Sequence, residues 1–574
     1  MPILTNHIGY ACSDHKFVAV SCISSDKSTL SYQKSLNDKN HLLHLHNAKT
    51  HELITQFTIH EAQVTDHWQT PAYSNIDFSE FRQSGEFYFQ YGQERSYPFM
   101  IKDDLLFEIT FSDLLHYFHS QRCSSIWNKQ DESVPVFNSE ERFNVKGGWY
   151  DASGDVSKYL THLSVGHYMN PQQIPMVIWN MLQALSHRHD TLTNKTFLKQ
   201  RLIDEITFGA DFLVRMQHPD GYFFTNVFDN WSKDPKRREL CIFEGQDGLR
   251  YDAYQASFRE GAGVSIAALA RASTLDQSGE FQQKEYLDAA IKGYQHLETH
   301  QHEYTSNGEN NIIDDYCALL AAIELHLATK ETHYLSQAQY WAHRLQSKQM
   351  SDDNISHFWS ANDDGSRPYY HAAEAGLPVI ALCRYLDIEK DKVLRDKAIQ
   401  TIENSCLFEH RITNEVANPL GYPRQYTKAL YSDKKSQFFM PHNNETGYWW
   451  QGENARLGSL AAMAQIAQPY LTVSLQKEMQ IYSKHCLNWI LGLNPFNQCM
   501  LDGHGFNNPN YLPDLGFYNA KGGVCNGITS GFNDESDIAF DPAPYCDDML
   551  QNWRWGEQWI PHAAWLLLAV TYTN

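Results

Sequence analysis

Along the first hundred residues, short runs of β-branched and aromatic residues, such as Phe17–Ile23 and Glu86–Tyr91, alternate with Asp, Asn, Ser and Gly. Runs of this length bounded by turn formers predict the strands of an all-β sandwich of modest size. Its last strand is expected at Tyr97–Ile101, and the character of the chain changes at Asp103–Asp104. From there apolar residues recur with helical period. Ile174, Val177, Ile178, Met181, Leu182 and Leu185 form one stripe; Ile312, Tyr316, Leu319, Leu320, Ile323 and Leu327 form another, and Leu475, Met479, Tyr482, Cys486 and Trp489 a third. Each stripe marks the buried face of an amphipathic helix. About twelve such segments open near residues 105, 173, 197, 260, 281, 312, 331, 371, 390, 453, 470 and 557. That number of helices predicts a toroid of inner and outer helices, (α/α)6, over residues 103–574, behind a sandwich over residues 1–102. Long connections at 122–172, 218–259, 349–370, 406–452 and 492–556 hold much of the Trp, Gly, Asn and Asp. Connections of this length in a compact domain usually build a site, so the chemistry is expected where they converge.

Charge narrows the partners. Lys and Arg number 46 against 68 Asp and Glu, so the net charge is 46 − 68 = −22. This sign argues against nucleic acid or an anionic membrane surface and tolerates a neutral or cationic substrate. Aromatic residues make up 13% of the chain, with 14 Trp and 32 Tyr. Most must fill the core, but their flat apolar faces also suit the C–H faces of sugar rings. The opening MPILTNHIGY lacks a basic region followed by an apolar run, so no secretory leader is expected. The apolar segment Ala563–Val570 is too short to span a membrane. The 11 cysteines are scattered without a C-x-x-C pair, which predicts reduced thiols in a cytoplasmic protein. His41, His44, His46 and His51 cluster in the N-terminal region but without a Cys pair to complete a zinc site. With no phosphate-cradling loop or dinucleotide fingerprint, no cofactor or metal is expected.

The sharpest local feature is Gly147-Gly148-Trp149-Tyr150-Asp151-Ala152-Ser153-Gly154-Asp155. Two carboxylates four apart among small residues fit an acid–base pair aimed at one point, and equally a solvated turn or a calcium loop. Far downstream, Glu557 sits among Trp553, Trp555 and Trp559, an apolar setting that favours its protonated form. Asp151 and Asp155 are expected to stay ionised.

The first segment resembles the Asp-Ala-Gly-Asp signature of glycoside hydrolase family 9, with Ser153 as an additional residue. The likeness continues in the family's order. Leu491-Gly492-Leu493-Asn494-Pro495 resembles its Gly-x-Asn-Pro segment, and Gly522-Gly523-Val524 with Gly531-Phe532-Asn533-Asp534 resembles its Gly-Gly-Pro-Asn-Asp loop. Glu557-Gln558-Trp559-Ile560 falls where the family places its catalytic glutamate, at the opening of the final apolar helix. Ile3-Leu4-Thr5-Asn6-His7-Ile8-Gly9-Tyr10 and Phe118-His119-Ser120-Gln121-Arg122-Cys123 are similar to the branch whose catalytic toroid follows an immunoglobulin-like β-sandwich. The resemblance implies an inverting hydrolase with Asp155 as general base, Asp151 holding the attacking water and Glu557 as general acid.

One family feature is missing. The stretch Gly503–Asn510 lacks the His-His-Arg with which secreted endoglucanases of the family bind glucan. In its place stands Pro441–Asn454, rich in amides, acids and aromatics, which resembles exo-acting members that include cytosolic bacterial β-glucosaminidases. Glu445, Tyr448, Trp449, Trp450 and Glu453 from this cluster, with Trp149, Tyr150 and Trp555, are the residues expected to touch sugar. Glu445 and Asp151 are the candidates for a 2-ammonium group. The resemblance thus implies an exo-β-D-glucosaminidase acting on a small oligosaccharide, chitosan disaccharide. The alternatives are a cello-oligosaccharide hydrolase and a non-catalytic sugar-binding homologue.

Overall fold

The computed structural model describes residues 2–22, 41–162, 169–245, 247–305, 307–447, 450–513, 516 and 519–573. The N-terminal part is a two-sheet sandwich. Its strands are β1 (Ile3–Leu4), β2 (Gly9–Tyr10), β3 (Phe17–Cys22), β4 (Leu42–Asn47), β5 (Leu53–Thr58), β6 (Ala72–Asp77), β7 (Gly85–Tyr91), β8 (Glu94–Arg95) and β9 (Phe99–Ile101). One sheet has the order β1-β3-β6, the other β2-β9-β7-β4-β5, with β8 added to β7. Pairing is antiparallel except between β2 and β9. Alternate residues enter the core between the sheets: Val18 and Val20, Leu43 and Leu45, Phe87 and Phe89, Phe99 and Ile101. This is the period of two that a half-buried strand requires. β3 is buried along its whole length because its other face, through Phe17 and Ala19, joins the core of the helical part.

Trp68 plugs the same junction. Its ring lies 4.7 Å from Phe438 and 6.0 Å from both Phe439 and Trp489. Lys484 adds an ion pair to Asp14 at 2.6 Å, and Asn6 donates from Nδ2 to Asn488 at 3.1 Å. Removing a buried indole deletes its transfer energy and leaves a cavity, so Trp68→Ala should cost about 3–5 kcal/mol. Denaturant unfolding should show the loss as a lower midpoint.

Twelve longer helices follow: α1 (Leu105–Ser120), α2 (Ile174–His187), α3 (Thr196–Arg215), α4 (Gly263–Ala272), α5 (Gln283–Tyr304), α6 (Ile312–Thr329), α7 (Thr332–Ser347), α8 (Leu377–Tyr385), α9 (Lys392–Thr413), α10 (Asn454–Ile466), α11 (Val473–Ile490) and α12 (Ile560–Thr571). They start within a few residues of the positions expected from periodicity. The even-numbered helices are buried nearly all round and form the inner tier. They touch in sequence, and α12 packs on α2 to close the ring. Odd-numbered helices bury one stripe, as α5 does with Tyr286, Ala289, Ala290, Gly293, Tyr294 and Leu297. This is an (α/α)6 toroid preceded by an immunoglobulin-like sandwich. Among the described residues, no helix is long and apolar enough to cross a membrane.

Two details depart from expectation. α9 runs on to Thr413 instead of ending near residue 405, because Cys406, Phe408 and Ile412 prolong its buried stripe. The long connections also carry short strands: Lys158–Tyr159, Asn226–Phe228, Glu239–Glu244 and Leu249–Tyr251 form one sheet, and Gln425–Lys428 pairs with Lys434–Gln437. Backbone polar groups in partly buried loops need partners, and these ladders supply them.

Candidate active site

Connections from an inner to the next outer helix are short, only residues 330–331 between α6 and α7. Connections from outer to inner helices are long, up to residues 491–559 before α12, except for residues 305–311 between α5 and α6. The long segments therefore gather at one pole, where the inner helices begin. Two of them meet there as an irregular antiparallel pair. Ala152 pairs with Trp559, the Ser153 N–H donates to the Gln558 carbonyl at 2.8 Å, and the Ile560 N–H donates to the Asp151 carbonyl at 3.0 Å. Glu557 is not helical, as expected from sequence, but extended at φ −67° and ψ 132°, between the short helix Trp553–Gly556 and α12. This geometry turns its side chain back to the aspartate loop, where Oε1 accepts the Gly154 N–H at 3.1 Å. Three acids far apart in sequence thus meet in one place.

Glycine is required at 154. A Cβ there would lie 2.4 Å from Glu557 Oε1 and 2.7 Å from the Tyr511 hydroxyl. The loop is tied from below by a fully buried ion cluster, in which Asp131 accepts from Arg238 Nε and Lys158 Nζ, both at 2.6 Å. Lys158 also donates to the carbonyls of Val145 and Gly147, and Arg238 donates to that of Val156. Opposite charges buried together with their remaining hydrogen bonds satisfied fix a backbone more firmly than surface pairs do.

The three carboxyls differ in their surroundings. Asp155 accepts three hydrogen bonds, from the Tyr159 hydroxyl at 2.6 Å, Trp231 Nε1 at 3.1 Å and the Ser157 N–H at 2.8 Å. Asp151 accepts from Trp559 Nε1 at 3.0 Å, and His162 Nε2 lies 4.0 Å away. Burial, then the charges of Asp155 and Glu557, push Asp151 well above the usual carboxylate range. Burial and Asp229 also raise Asp155, while its Tyr159 and Ser157 donors oppose the rise. Burial and Asp155 lift Glu557 to about 8. The expectation that both aspartates stay ionised is corrected at Asp151: a buried carboxyl between two other acids favours its proton. Burial drives His162 down to about 3, so its imidazole is neutral. Ligand atoms of Asp151, Asp155 and His162 lie within 4.8 Å of one another, a spacing that could hold a metal ion.

Several site residues escaped the sequence analysis. Tyr159 and Ser157 follow Asp155 at even spacing and could have been found as the start of a strand. Trp231 carried no such signal. It stands at φ 50° between Asn230 at 58° and Lys233 at 55°, three left-handed non-glycine residues within four positions. Strain of this kind persists where surrounding structure imposes it, commonly at functional sites. Here it aims the Trp231 N–H at Asp155 while the indole stays 36% exposed.

The residues expected to touch sugar fare unevenly. Trp149 is 0% exposed and donates from Nε1 to Glu205 at 3.2 Å, so it has no face for a ligand. Trp555 is likewise 0% exposed, part of the core. Glu453 is buried and accepts from Arg456 Nε at 2.6 Å, Gln425 Nε2 and the Met440 N–H, which leaves it no capacity for substrate. Trp450 is buried, with the Arg554 guanidinium 4.0 Å above its ring and His442 at 4.4 Å. Tyr150 is half-buried, its hydroxyl accepting the Ser124 N–H at 3.1 Å. Glu445 is held bidentately by Arg367 at 2.5 and 2.6 Å. Tyr448 and Trp449 lie outside the described residues.

Three carboxyls at one pole of a helical toroid, with Asp151 and Glu557 pushed toward their protonated forms and Asp155 held by three donors, are the equipment of a glycoside hydrolase that works by acid–base catalysis. Comparison with known families agrees. The family model described as Glycosyl hydrolase family 9 matches residues 107–520, and the chain belongs to that family of inverting enzymes. Solved structures share the fold along the whole chain. A metagenome-derived family 9 endoglucanase is 16% identical, with a TM-score of 0.67 over 99% of this chain and 98% of its own. A family 9 protein of Bacteroides ovatus is 18% identical, with a TM-score of 0.65 over 99% and 98%. AaCel9A in complex with cellobiose-like isofagomine is 13% identical, with a TM-score of 0.64 over 100% and 99%. No curated protein matches the sequence.

Proposed function

We propose that this enzyme is an exo-acting β-glycosidase of short β-1,4 oligosaccharides, with chitosan disaccharide as its leading substrate. The observation that carries this reading is the Gly154 N–H on Glu557 Oε1, which holds the proposed acid against the aspartate loop. Asp155, favoured as an anion by its donors, takes a proton from water. The water oxygen attacks the anomeric carbon, while Glu557 gives its proton to the glycosidic oxygen as that bond breaks. Asp151, whose burial between Asp155 and Glu557 favours the protonated form, orients the water. Asp151 and Asp155 are only 3% and 8% exposed, an enclosure that suits a chain end better than the middle of a polymer. Asp229 joins the other acids through Ser157, whose hydroxyl donates to it at 2.8 Å. Glu445, expected to meet an ammonium group, is already engaged by Arg367, so the attraction for such a group falls to Asp155 and Asp229, whose charges act more strongly away from bulk water. All eleven cysteines are free thiols, which supports a place in the reducing cytosol, where disaccharides but not polymers arrive.

A cello-oligosaccharide is the second reading, favoured by the Arg367 pair that already engages Glu445 and by the cellobiose-like ligand of AaCel9A. Incubation with chitosan disaccharide and with cellobiose separates the two. Glucosamine release supports the first; glucose release alone removes it. NMR of the fresh product should show the α-anomer, and an initial β product would contradict inversion. The proposed acid must carry its proton, so activity should be present below the Glu557 value of about 8 and fall as pH rises through it. A pH profile of kcat with its basic limb below 6 would exclude Glu557 as the acid.

A further inference from the structure

We propose that Ser153, the residue inserted between the two aspartates, is a positioning residue that sets the general acid against the general base. An insertion in a tight loop would ordinarily loosen it. Here both polar groups of Ser153 close on the next segment. Its N–H donates to the Gln558 carbonyl at 2.8 Å, and its Oγ accepts the Gln558 N–H at 3.0 Å. The hydrogen bonds of Gln558's own N–H and C=O therefore both go to one residue.

Gln558 is otherwise immobile. It is 0% exposed, its Oε1 accepts the Ala520 N–H at 2.8 Å, and its Nε2 donates to the Ala520 carbonyl at 2.9 Å. A Cβ on Gly523 would lie 2.2 Å from that amide, so the segment beneath it is packed to contact. Glu557, the preceding residue, accepts the Asn526 N–H at its carbonyl at 2.8 Å and the Gly154 N–H at its carboxyl. Residues 153 and 154 thus grip 558 and 557 side by side, and the inserted residue supplies two of the three hydrogen bonds.

Removing the Ser153 hydroxyl strands the Gln558 N–H in a buried place, where an unpaired donor is costly. The segment then regains its partner only by turning away from the loop, which carries Glu557 off the glycosidic oxygen. The base is spared, because Asp155 is held by Tyr159, Trp231 and Ser157, none of which touches Gln558 in this network.

This inference rests on Glu557 being the acid, and the test separates the two. Ser153→Ala and Glu557→Gln are compared with wild type on two substrates. One is chitosan disaccharide; the other is the dinitrophenyl β-glycoside of the same sugar, whose leaving phenolate needs no proton. Ser153→Ala should lose roughly tenfold to a hundredfold in kcat on the disaccharide, a fraction of what a general acid contributes. Its rate on the aryl glycoside should stay within about threefold of wild type, and its thermal midpoint within a few degrees. Ser153→Thr, which keeps the hydroxyl, should restore the disaccharide rate, and Ser153→Cys, a weaker acceptor, should fall between. Equal losses on both substrates, or no loss on either, overturn the proposal. If Glu557→Gln splits the substrates and Ser153→Ala does not, Ser153 alone is reassigned. If Glu557→Gln fails to split them, the acid assignment falls and the role of Ser153 with it.

Discussion

Asp155→Ala should reduce kcat on the proposed disaccharide substrate by roughly 10²- to 10⁴-fold, the range a positioned general base contributes. The Tyr159 hydroxyl, Trp231 Nε1 and Ser157 N–H converge on this carboxylate, so no other group at the site is as well prepared to accept the proton of water as an anion. Asp151 is a poorer substitute, because it accepts from Trp559 Nε1 and burial beside Glu557 favours its protonated form. The loss should appear equally on the disaccharide and on an aryl glycoside, since attack by water is common to both. The alanine also leaves three donors without their acceptor, and an unpaired buried donor costs about 1–3 kcal/mol. Initial rates therefore need a companion thermal midpoint, and Asp155→Asn, which keeps an acceptor oxygen, should recover stability without recovering rate. A variant that retained a tenth of wild-type turnover would show that Asp155 is not the base.

Gly154→Ala should damage catalysis more than it damages the fold. Its Cβ would meet Glu557 Oε1 at 2.4 Å and the Tyr511 hydroxyl at 2.7 Å. One of these must move, and Glu557 is the group attached to the irregular segment before α12. A displacement of an ångström in a reacting group costs about 10²-fold in rate, so a loss near that size is expected on the disaccharide. The basic limb of the pH profile should shift as well, because the Gly154 N–H opposes the upward drive on the Glu557 carboxyl. Gly92→Ala serves as comparison. Gly92 sits at φ +59° in a turn of the sandwich with nothing within 4 Å of its would-be Cβ, so backbone strain is its whole cost and turnover should be untouched.

The toroid was legible because its evidence repeats. Twelve segments each bury a stripe of aliphatic residues, and the period survives local exceptions. The three acids were legible because motifs in fixed order marked them. The sugar-contacting residues were less so. An indole that packs against Glu205 and Phe208 of α3, as Trp149 does, looks in sequence like one that would stack on a sugar, since both tasks use the same chemistry. Glu453 was a partial exception: Arg456 stands three residues on, a spacing that pairs across a helical turn, and the buried ion pair at 2.6 Å follows from it. No such signal linked Arg367 to Glu445, 78 residues apart. Trp231 was hidden for a third reason. Its position depends on left-handed backbone imposed by the surrounding sheet, which local propensity disfavours. The ionisation of Asp151 depends on which charges end up beside it, and only the assembled site decides that.

The pairing of residues 151–153 with 558–560 ties the chemistry to the architecture. The strand-like stretch that delivers Glu557 runs straight into α12, and α12 is the helix that packs on α2 to complete the circle. Whatever pulls α12 off α2 therefore opens the ring and withdraws the proton donor in one motion, while both aspartates stay on their own loop. Ring closure and the arming of its chemistry are a single event, and an opened toroid is an inert one.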